Sequence, residues 1–214
     1  MAKQSTFNPA CRQCPRLDKF LTGIRQDYPN YHAAPVPPFG DPKARLLIVG
    51  LAPGMHGANR TGRPFTGDYA GILLYQTLHK FGYGNLPESI AADDDLVLTG
   101  CRITNAVKCL PPANKPTTEE EKTCNPYFKA ELATLPKNAV LLTLGNIAHK
   151  AVLRALDLKQ SQFRFAHNAV HKLEQLTLVN SYHCSRYNTQ TRRLTEKMFH
   201  DVFSNIDKIL KQNG

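Results

Sequence analysis

Long apolar runs are missing from this chain. Its longest apolar stretches, such as residues 46–49 and 139–142, have the length of a β-strand, whereas a helix that crosses a membrane needs about 20 apolar residues. We therefore expect no membrane span. The start of the chain, MAKQSTFNP, has no apolar core segment, so the sequence predicts neither a signal peptide nor secretion.

Two common phosphate-binding motifs are also missing. Residues 50–68 read GLAPGMHGANRTGRPFTGD and contain five glycines, yet they match neither G-x-G-x-x-G nor the Gly-Lys-Ser/Thr ending of a P-loop. Glycine lets backbone N–H groups approach a ligand closely. Taken alone, the segment is equally consistent with a structural turn and with a binding site.

Four of the six cysteines have the spacing of a metal site. Cys11 and Cys14 form a C-x2-C pair, and Cys109 and Cys124 form a C-x14-C pair. In a reducing compartment such cysteines bind metal more often than they form disulfides. Four thiolates without histidine suit either zinc or a four-iron, four-sulfur cluster, and the spacing does not separate the two. Of the remaining thiols, Cys101 is expected to be a buried small residue and Cys184 a loop thiol.

The charge of the chain favours a polyanionic partner. It has 27 Lys and Arg against 17 Asp and Glu, a net charge of +10 that is spread along the sequence. Neutralising phosphates supplies much of the affinity of a basic protein for nucleic acid. Many basic domains bind nothing charged, so the charge is weak support. The length of 214 residues is enough for one domain with a sizeable core.

Apolar periodicity predicts strands that alternate with helices after residue 43. Strands are expected at residues 45–51, 96–106, 139–144 and 176–180, and helices at 69–78, 146–156 and 190–210. Such alternation predicts a parallel sheet covered on both faces, with functional sites beyond the carboxyl ends of the strands. Residues 50–68, 104–109 and 181–186 should therefore meet at one edge.

The remaining segments are less regular. Residues 1–40 are expected to form a loop-rich arm that the metal ties down, and residues 108–116, with three prolines, to form no regular structure. Thr117 and Glu120 predict the capping box of a short helix. Asn125 and Pro126 predict the start of the next helix, whose N-terminus would favour the thiolate of Cys124.

Three segments resemble the motifs of the uracil-DNA glycosylase superfamily, in particular its type B or family 5 enzymes. They are residues 50–68, ITNAVKC at residues 103–109 and SYHCSRYNTQTRRL at residues 181–194. The four spaced cysteines resemble the iron-sulfur ligands of that family. The resemblance spans nearly the whole chain. It implies a single domain over residues 1–214 with a three-layer α/β/α fold, a central, mainly parallel four-stranded sheet and a structural four-iron, four-sulfur cluster.

The resemblance implies an enzyme that hydrolyses the N-glycosidic bond of a deaminated base in DNA and so starts base excision repair. Phe65 would stack on the extruded base, and Asn105 would hydrogen-bond its Watson-Crick edge. His183 would donate a hydrogen bond to the leaving uracil. Related families have an acidic or amide side chain where this chain has Leu51, so Asp68 is the candidate to orient water or stabilise the sugar cation. Asp68 suits equally well the N-cap of the next helix.

The implied substrate-binding residues surround these catalytic candidates. They are Gly50, Ala52, Pro53, Gly54, His56, Asn59, Phe65, Ser185 and Arg186. Among them, Ser185 and Arg186 are expected to contact phosphate or to enter the DNA helix beside the vacated base. Lys108, Lys115 and Lys122 are expected to face phosphate. Cys184 and Arg192 depart from the family pattern, which favours proline and glycine at these two positions.

Two other functions stay open. A non-catalytic nucleic-acid-binding protein with a structural zinc would explain the charge and the cysteines, but not Asn105 or His183. A glycosylase specialised for deaminated purines would keep every motif. Because Leu51 and Ala52 leave a roomy pocket, we expect activity on uracil with some activity on hypoxanthine or xanthine. The protein is expected to be a cytoplasmic monomer that associates with the nucleoid through DNA.

Overall fold

The structure, a computed structural model, describes residues 6–212. The first five residues of the predicted N-terminal arm and the last two of the chain lie outside the described residues. Within this range the strands are β1 (Phe39–Gly40), β2 (Leu46–Gly50), β3 (Cys101–Asn105), β4 (Ala139–Leu144), β5 (Val170–Lys172) and β6 (Leu176–Ser181). They form one sheet in the order β1-β3-β2-β4-β6-β5.

The four inner strands run parallel. β2 pairs with β3 and with β4, and β4 pairs with β6. These are the four predicted strands, and the mainly parallel sheet is confirmed. The predicted number of strands is wrong, because β1 and β5 add antiparallel edges. Both edge strands have at most three residues and lack a buried apolar run, which is why apolar periodicity did not reveal them.

Helices cover both faces of the sheet. In residues 6–212 they are α1 (Pro15–Asp27), α2 (Ala58–Thr61), α3 (Tyr69–Lys80), α4 (Thr118–Leu132), α5 (Asn146–Ala155), α6 (Arg186–Gln190) and α7 (Glu196–Gln212). Among these, none has both the length and the apolar character that a membrane crossing requires.

The two faces of β2 explain the three layers. Successive strand side chains point to opposite faces, so Leu46 and Ile48 pack with α3 and α7, whereas Leu47 and Val49 pack with α4 and α5. All four side chains are fully buried. Each face of the sheet is therefore the centre of its own apolar core, and the predicted three-layer α/β/α fold is confirmed.

The prediction of two helices between residues 117 and 132 is wrong. The capping box is present, because Thr117 Oγ1 accepts from Glu120 N and Glu120 Oε2 accepts from Thr117 N. The helix α4 then continues through Pro126 to Leu132. Burial of the following side chains, such as Phe128, on the sheet outweighs the backbone hydrogen bond that proline cannot donate. Cys124 therefore lies inside α4, and the helix that was predicted to begin beside it at Asn125 does not begin there.

Three other boundaries differ from the prediction. The expected loop-rich arm contains α1, which buries Leu17, Leu21 and Ile24 at helical spacing. Residues 112–114 of the proline-rich loop form a short 3-10 helix. The helix expected over residues 190–210 begins later, at Glu196 in α7, because Arg192 takes a left-handed backbone conformation with φ of 57° that a helix cannot include.

A buried ion pair joins the carboxyl end of β3 to α4. Lys108 Nζ donates to Glu131 Oε2 at 2.8 Å and to Thr104 Oγ1 at 2.6 Å. Both charged side chains are at most 4 % exposed, and Arg102 Nε lies 3.7 Å from the other carboxylate oxygen. The expectation that Lys108 faces phosphate is therefore wrong, since its charge is needed inside the protein.

Removing the carboxylate should be costly. We expect Glu131→Leu to lower the free energy of unfolding by about 3–5 kcal/mol, because it leaves two cations buried without a partner. Urea denaturation measures the effect. The matched control in the same helix is Glu119→Leu, whose pair with Lys122 is exposed and should contribute less than about 1 kcal/mol. Equal losses for the two variants would contradict this account.

Candidate active site

Three loops meet beyond the carboxyl ends of the parallel strands, as the sequence predicts. They follow β2, β3 and β6 and enclose an open cavity of about 540 Å³. Its lining residues are Leu51, Ala52, Gly54, Met55, His56, Gly57, Ala58, Phe65, Asp68, Tyr69, Ala70, Asn105, Asn114, His183, Ser185 and Arg186. The predicted catalytic candidates Asp68, Asn105 and His183 are all in this set.

Asn105 and Phe65 occupy space that a side chain at residue 50 would fill. Asn105 ends β3 directly opposite Gly50 in β2. A Cβ atom at residue 50 would overlap Asn105 Oδ1 and lie 2.9 Å from the Phe65 ring. Gly50 is therefore not in contact with the cavity itself, but its missing side chain lets the amide and the ring share one wall.

Phe65 is held in an uncommon backbone conformation, with φ of 55°. Its carbonyl oxygen turns toward α3, where a Cβ atom at Gly71 would overlap it. The side chain is only 6 % exposed, so the ring is fixed by its surroundings. A fixed aromatic wall suits the stacking of a planar ligand.

His183 lies beside Phe65, in the loop that follows β6. Its ring stacks with the Phe65 ring at a centroid distance of 5.9 Å and an interplanar angle of 30°. Burial lowers the pKa of His183 from its ordinary value of 6.5 to about 4, so the imidazole is neutral at pH 7. Asn188 Nδ2 donates to the His183 carbonyl at 2.8 Å and fixes the loop. A neutral imidazole still offers one N–H donor.

The two carboxylate oxygens of Asp68 have different surroundings. Its Oδ1 accepts from Gly71 N at 3.0 Å and caps α3, which confirms the predicted N-cap. Its Oδ2 faces the glycines of the cavity wall, where a Cβ atom at Gly57 would overlap it and one at Gly54 would lie 3.5 Å away. Burial raises the pKa of Asp68, and backbone N–H donors from Gly71 and Ala70 partly offset this rise. One oxygen caps the helix, and the other remains near the cavity.

The other predicted binding residues divide into two groups. Ala52, Gly54, His56, Ser185 and Arg186 line the cavity, whereas Gly50, Pro53 and Asn59 lie behind its wall. Asn59 is fully buried in α2, and its side-chain amide has no hydrogen-bond partner among residues 6–212. Its backbone carbonyl instead accepts from Ala33 N, so this residue joins the cavity wall to the N-terminal segment.

The sequence reasoning missed several residues at this site. Met55, Tyr69 and Asn114 line the cavity, and Arg186 lies 5.8 Å from the centre of the Tyr69 ring. Tyr187, beside Arg186, is 71 % exposed. An aromatic residue next to an arginine within the third motif was the available signal for Tyr187. No local pattern would reveal Asn114, because it comes from the proline-rich loop.

The four spaced cysteines line a second, smaller cavity, away from the first. Burial and the neighbouring Cys124 thiol raise the pKa of Cys14 to about 11 and that of Cys109 to about 12. The pKa of Cys124 is also raised by burial. Cys11 contributes to the raised pKa of Cys14, Cys109 and Cys124, so the four groups are close enough to repel one another when ionised. No cysteine among residues 6–212 is in a disulfide. Cys184 lies in the loop between β6 and α6, as expected of a loop thiol, and it is fully buried.

The depressed pKa of His183 predicts a pH dependence of stability. The unfolded imidazole binds a proton near pH 6.5, but the folded one does so only near pH 4. The unfolded state therefore binds more protons between these values, and stability should fall as the pH is lowered through this window. We expect the free energy of unfolding of the wild type to fall by on the order of 1–2 kcal/mol between pH 7 and pH 5, and His183→Gln to lack this fall. Urea denaturation of both proteins at the two pH values tests this, and identical pH slopes would contradict it.

Comparison with known proteins agrees with this arrangement. The sequence model of the uracil DNA glycosylase superfamily matches residues 37–206. The chain is 47% identical over 206 residues to the type-5 uracil-DNA glycosylase of Thermus thermophilus, covering 94% of each chain. It is 42% identical to the type-5 uracil-DNA glycosylase of Mycobacterium leprae, covering 93% of this chain and 91% of the other.

A more distant relative extends the comparison. The chain is 31% identical to the type-4 uracil-DNA glycosylase of Sulfurisphaera tokodaii, covering 90% of this chain and 79% of that protein. The match to the superfamily covers most of the chain, and the higher identities are to type-5 proteins. The chain therefore belongs to the uracil DNA glycosylase superfamily, in its type-5 branch.

Proposed function

We propose that this protein hydrolyses the N-glycosidic bond between uracil and deoxyribose in DNA and so starts base excision repair. The observation that carries the proposal is the convergence of Phe65, Asn105 and a neutral His183 on one cavity. The names of the type-5 and type-4 relatives, all uracil-DNA glycosylases, support the same activity.

The proposed reaction requires the base to leave the duplex. Extruding a nucleotide costs a few kcal/mol, and a fitted pocket recovers that cost. In our proposal the Phe65 ring stacks on the extruded uracil. Asn105, an amide with both donor and acceptor atoms, pairs with its Watson-Crick edge. Its position at the end of a buried strand supports this role, because a rigid amide discriminates better than a mobile one.

His183 is proposed to stabilise the leaving group. As the glycosidic bond breaks, negative charge grows on the uracil, and a donor placed there stabilises the transition state more than the ground state. The imidazole carries no charge at pH 7, so it donates one hydrogen bond and does not itself lose a proton. Its position beside Phe65 in the lining of the same cavity supports this role.

Asp68 is proposed to act on the sugar side of the bond. Positive charge grows on the deoxyribose during cleavage, and a nearby carboxylate stabilises it or orients the attacking water. Because Oδ1 is held by Gly71 N, the carboxylate cannot turn freely. The orientation of Oδ2 toward the glycine wall supports its use in the cavity.

The proposed substrate is DNA with a deaminated base. The net charge of +10 and the exposed Arg186 at the cavity rim support binding to phosphate. Leu51 and Ala52 line the cavity with apolar atoms, so we propose that hypoxanthine or xanthine is also accepted, more slowly than uracil. We further propose that the protein acts as a monomer in the cytoplasm, at the nucleoid.

Asp68→Asn separates catalysis from helix capping. Asparagine caps helices about as well as aspartate, so the variant should keep its free energy of unfolding within about 1 kcal/mol. Loss of the charge should lower the single-turnover rate of uracil release by roughly a hundredfold or more. The measurement uses an end-labelled duplex with one uracil, alkali treatment and no added divalent metal. A wild-type rate in Asp68→Asn would rule out the catalytic role.

We also propose that Cys11, Cys14, Cys109 and Cys124 hold a four-iron, four-sulfur cluster. All four cysteines line one cavity, and a site made only of thiolates suits a cluster that takes one thiolate at each iron. The resemblance of the four spaced cysteines to the iron-sulfur ligands of the superfamily supports the cluster over a zinc ion. Bound there, it would cross-link the N-terminal segment to α4.

The cluster predicts a spectroscopic signature. Anaerobically purified protein should be brown, with broad visible absorbance and about four iron atoms per chain. Cys14→Ser should lose most of that absorbance. Cys101→Ala, which removes a buried thiol outside the cavity, should keep it. Stoichiometric zinc without iron would overturn the assignment.

A further inference from the structure

Three aromatic side chains form a continuous surface beside the cavity. Tyr28 and Tyr31 lie with their ring centroids 4.7 Å apart and their planes inclined by 30°. The His56 ring meets the edge of each, at 6.1 Å from Tyr28 and 6.0 Å from Tyr31. We name this group the Tyr28–Tyr31–His56 platform. His56 also lines the cavity, so the platform continues its wall.

The platform is held in place by backbone hydrogen bonds. Tyr28 N donates to Ile24 O at the end of α1. His32 N and Ala33 N donate to carbonyls of α2, each at 3.0 Å. The two tyrosines are therefore fixed against the cavity wall, although they come from the N-terminal segment. A surface that is ordered before binding loses little conformational entropy when a ligand arrives.

Folding alone does not account for the exposure of this platform. Tyr31 packs partly on an apolar cluster that includes Leu21 and Ala33, but Tyr28 is 39 % exposed and His56 is also exposed. The Tyr31 hydroxyl lies 2.8 Å from His56 Nδ1. This contact ties the His56 ring to Tyr31, so the three rings form one connected surface.

We propose that the Tyr28–Tyr31–His56 platform is a nucleobase-stacking subsite. It receives the base next to the extruded nucleotide on the same strand, and so rests on the proposed function of the cavity. Exposed aromatic rings bind unpaired bases by stacking, whatever the base. Because His56 belongs to the cavity wall, the nearest base to a nucleotide bound there is its neighbour along the strand. The platform would keep that base from stacking back into the duplex.

The test measures whether the contribution of Tyr28 to DNA binding depends on the presence of the neighbouring base. The full-length protein is titrated into a labelled duplex that carries tetrahydrofuran, an abasic analogue, at the lesion position. The same titration is repeated with a duplex that lacks a base at the 5′ neighbour as well, and with one that lacks a base at the 3′ neighbour. Fluorescence anisotropy gives Kd for the wild type, Tyr28→Ala and Tyr28→Phe.

We expect Tyr28→Ala to weaken binding roughly tenfold when both neighbours carry bases. On the duplex that lacks the stacked base, the same substitution should have little effect, because the contact is already gone. Tyr28→Phe keeps the ring and should bind like the wild type. Equal effects of Tyr28→Ala on all three duplexes, or no effect on any, would overturn the proposal.

Failure of the two proposals can be told apart. The binding series contains no cleavable bond, so its outcome does not depend on catalysis. Uracil release by the wild type is measured separately on a uracil duplex. Absence of release would overturn the proposed function, whereas release with no dependence between Tyr28 and either neighbour would overturn only the stacking subsite. Unchanged thermal unfolding of Tyr28→Ala shows that a binding defect is not caused by misfolding.

Discussion

Two parallel strands end side by side at Gly50 and Asn105, and the site is built on the missing side chain at residue 50. The parallel register sets these residues opposite each other. Any Cβ atom at residue 50 would overlap the Asn105 amide and crowd the Phe65 ring. Both groups belong to the cavity wall, so the sheet register and one glycine together fix the recognition surface. His183 then joins this surface by stacking beside the Phe65 ring.

Two of the five glycines in the first motif are explained by close packing against side chains. Gly50 makes room for Asn105, and Gly57 makes room for Asp68. In the next helix, Gly71 makes room for the Phe65 carbonyl. A phosphate cradle would instead need glycine N–H groups directed at a ligand. The glycine-rich segment is therefore a scaffold that brings catalytic candidates together, which accounts for its lack of either nucleotide-binding pattern.

The parts of the fold with a strong local signal were predictable. The inner strands are continuous buried runs, and Asp68 has the spacing of an N-cap. The edge strands were not predictable, because pairing with a neighbour, not side-chain burial, creates them. Pro126 led to the wrong prediction of a helix boundary inside α4. The energetic cost of a proline within a helix follows from the local sequence, whereas the burial of Phe128 that outweighs this cost depends on the tertiary fold.

The residues of the site can also be divided into those that the sequence predicts and those that it does not. The residues inside the three motifs were found, because each motif follows a strand end. Tyr28 and Tyr31 were not, although they lie next to His56. Their position depends on how α1 returns the chain to α2 through backbone hydrogen bonds. Sequence spacing carries no information about that contact, so only the folded chain reveals the aromatic surface.

Burial shifts the pKa values of His183 and Asp68 in opposite directions. Loss of water lowers the pKa of His183 and raises that of Asp68, so by itself it would make both groups neutral. At Asp68 the N–H groups of the α3 terminus oppose this change, because they stabilise the ionised form. At His183 burial is the whole cause of the shift.

One cavity can therefore hold a neutral donor and a carboxylate supported by backbone donors. Cleavage of a glycosidic bond needs both, because the departing base gains negative charge while the sugar gains positive charge. The helix cap at Asp68 is consequently part of the electrostatic design of the site: the hydrogen bond that begins α3 also favours the charge that the proposed reaction uses.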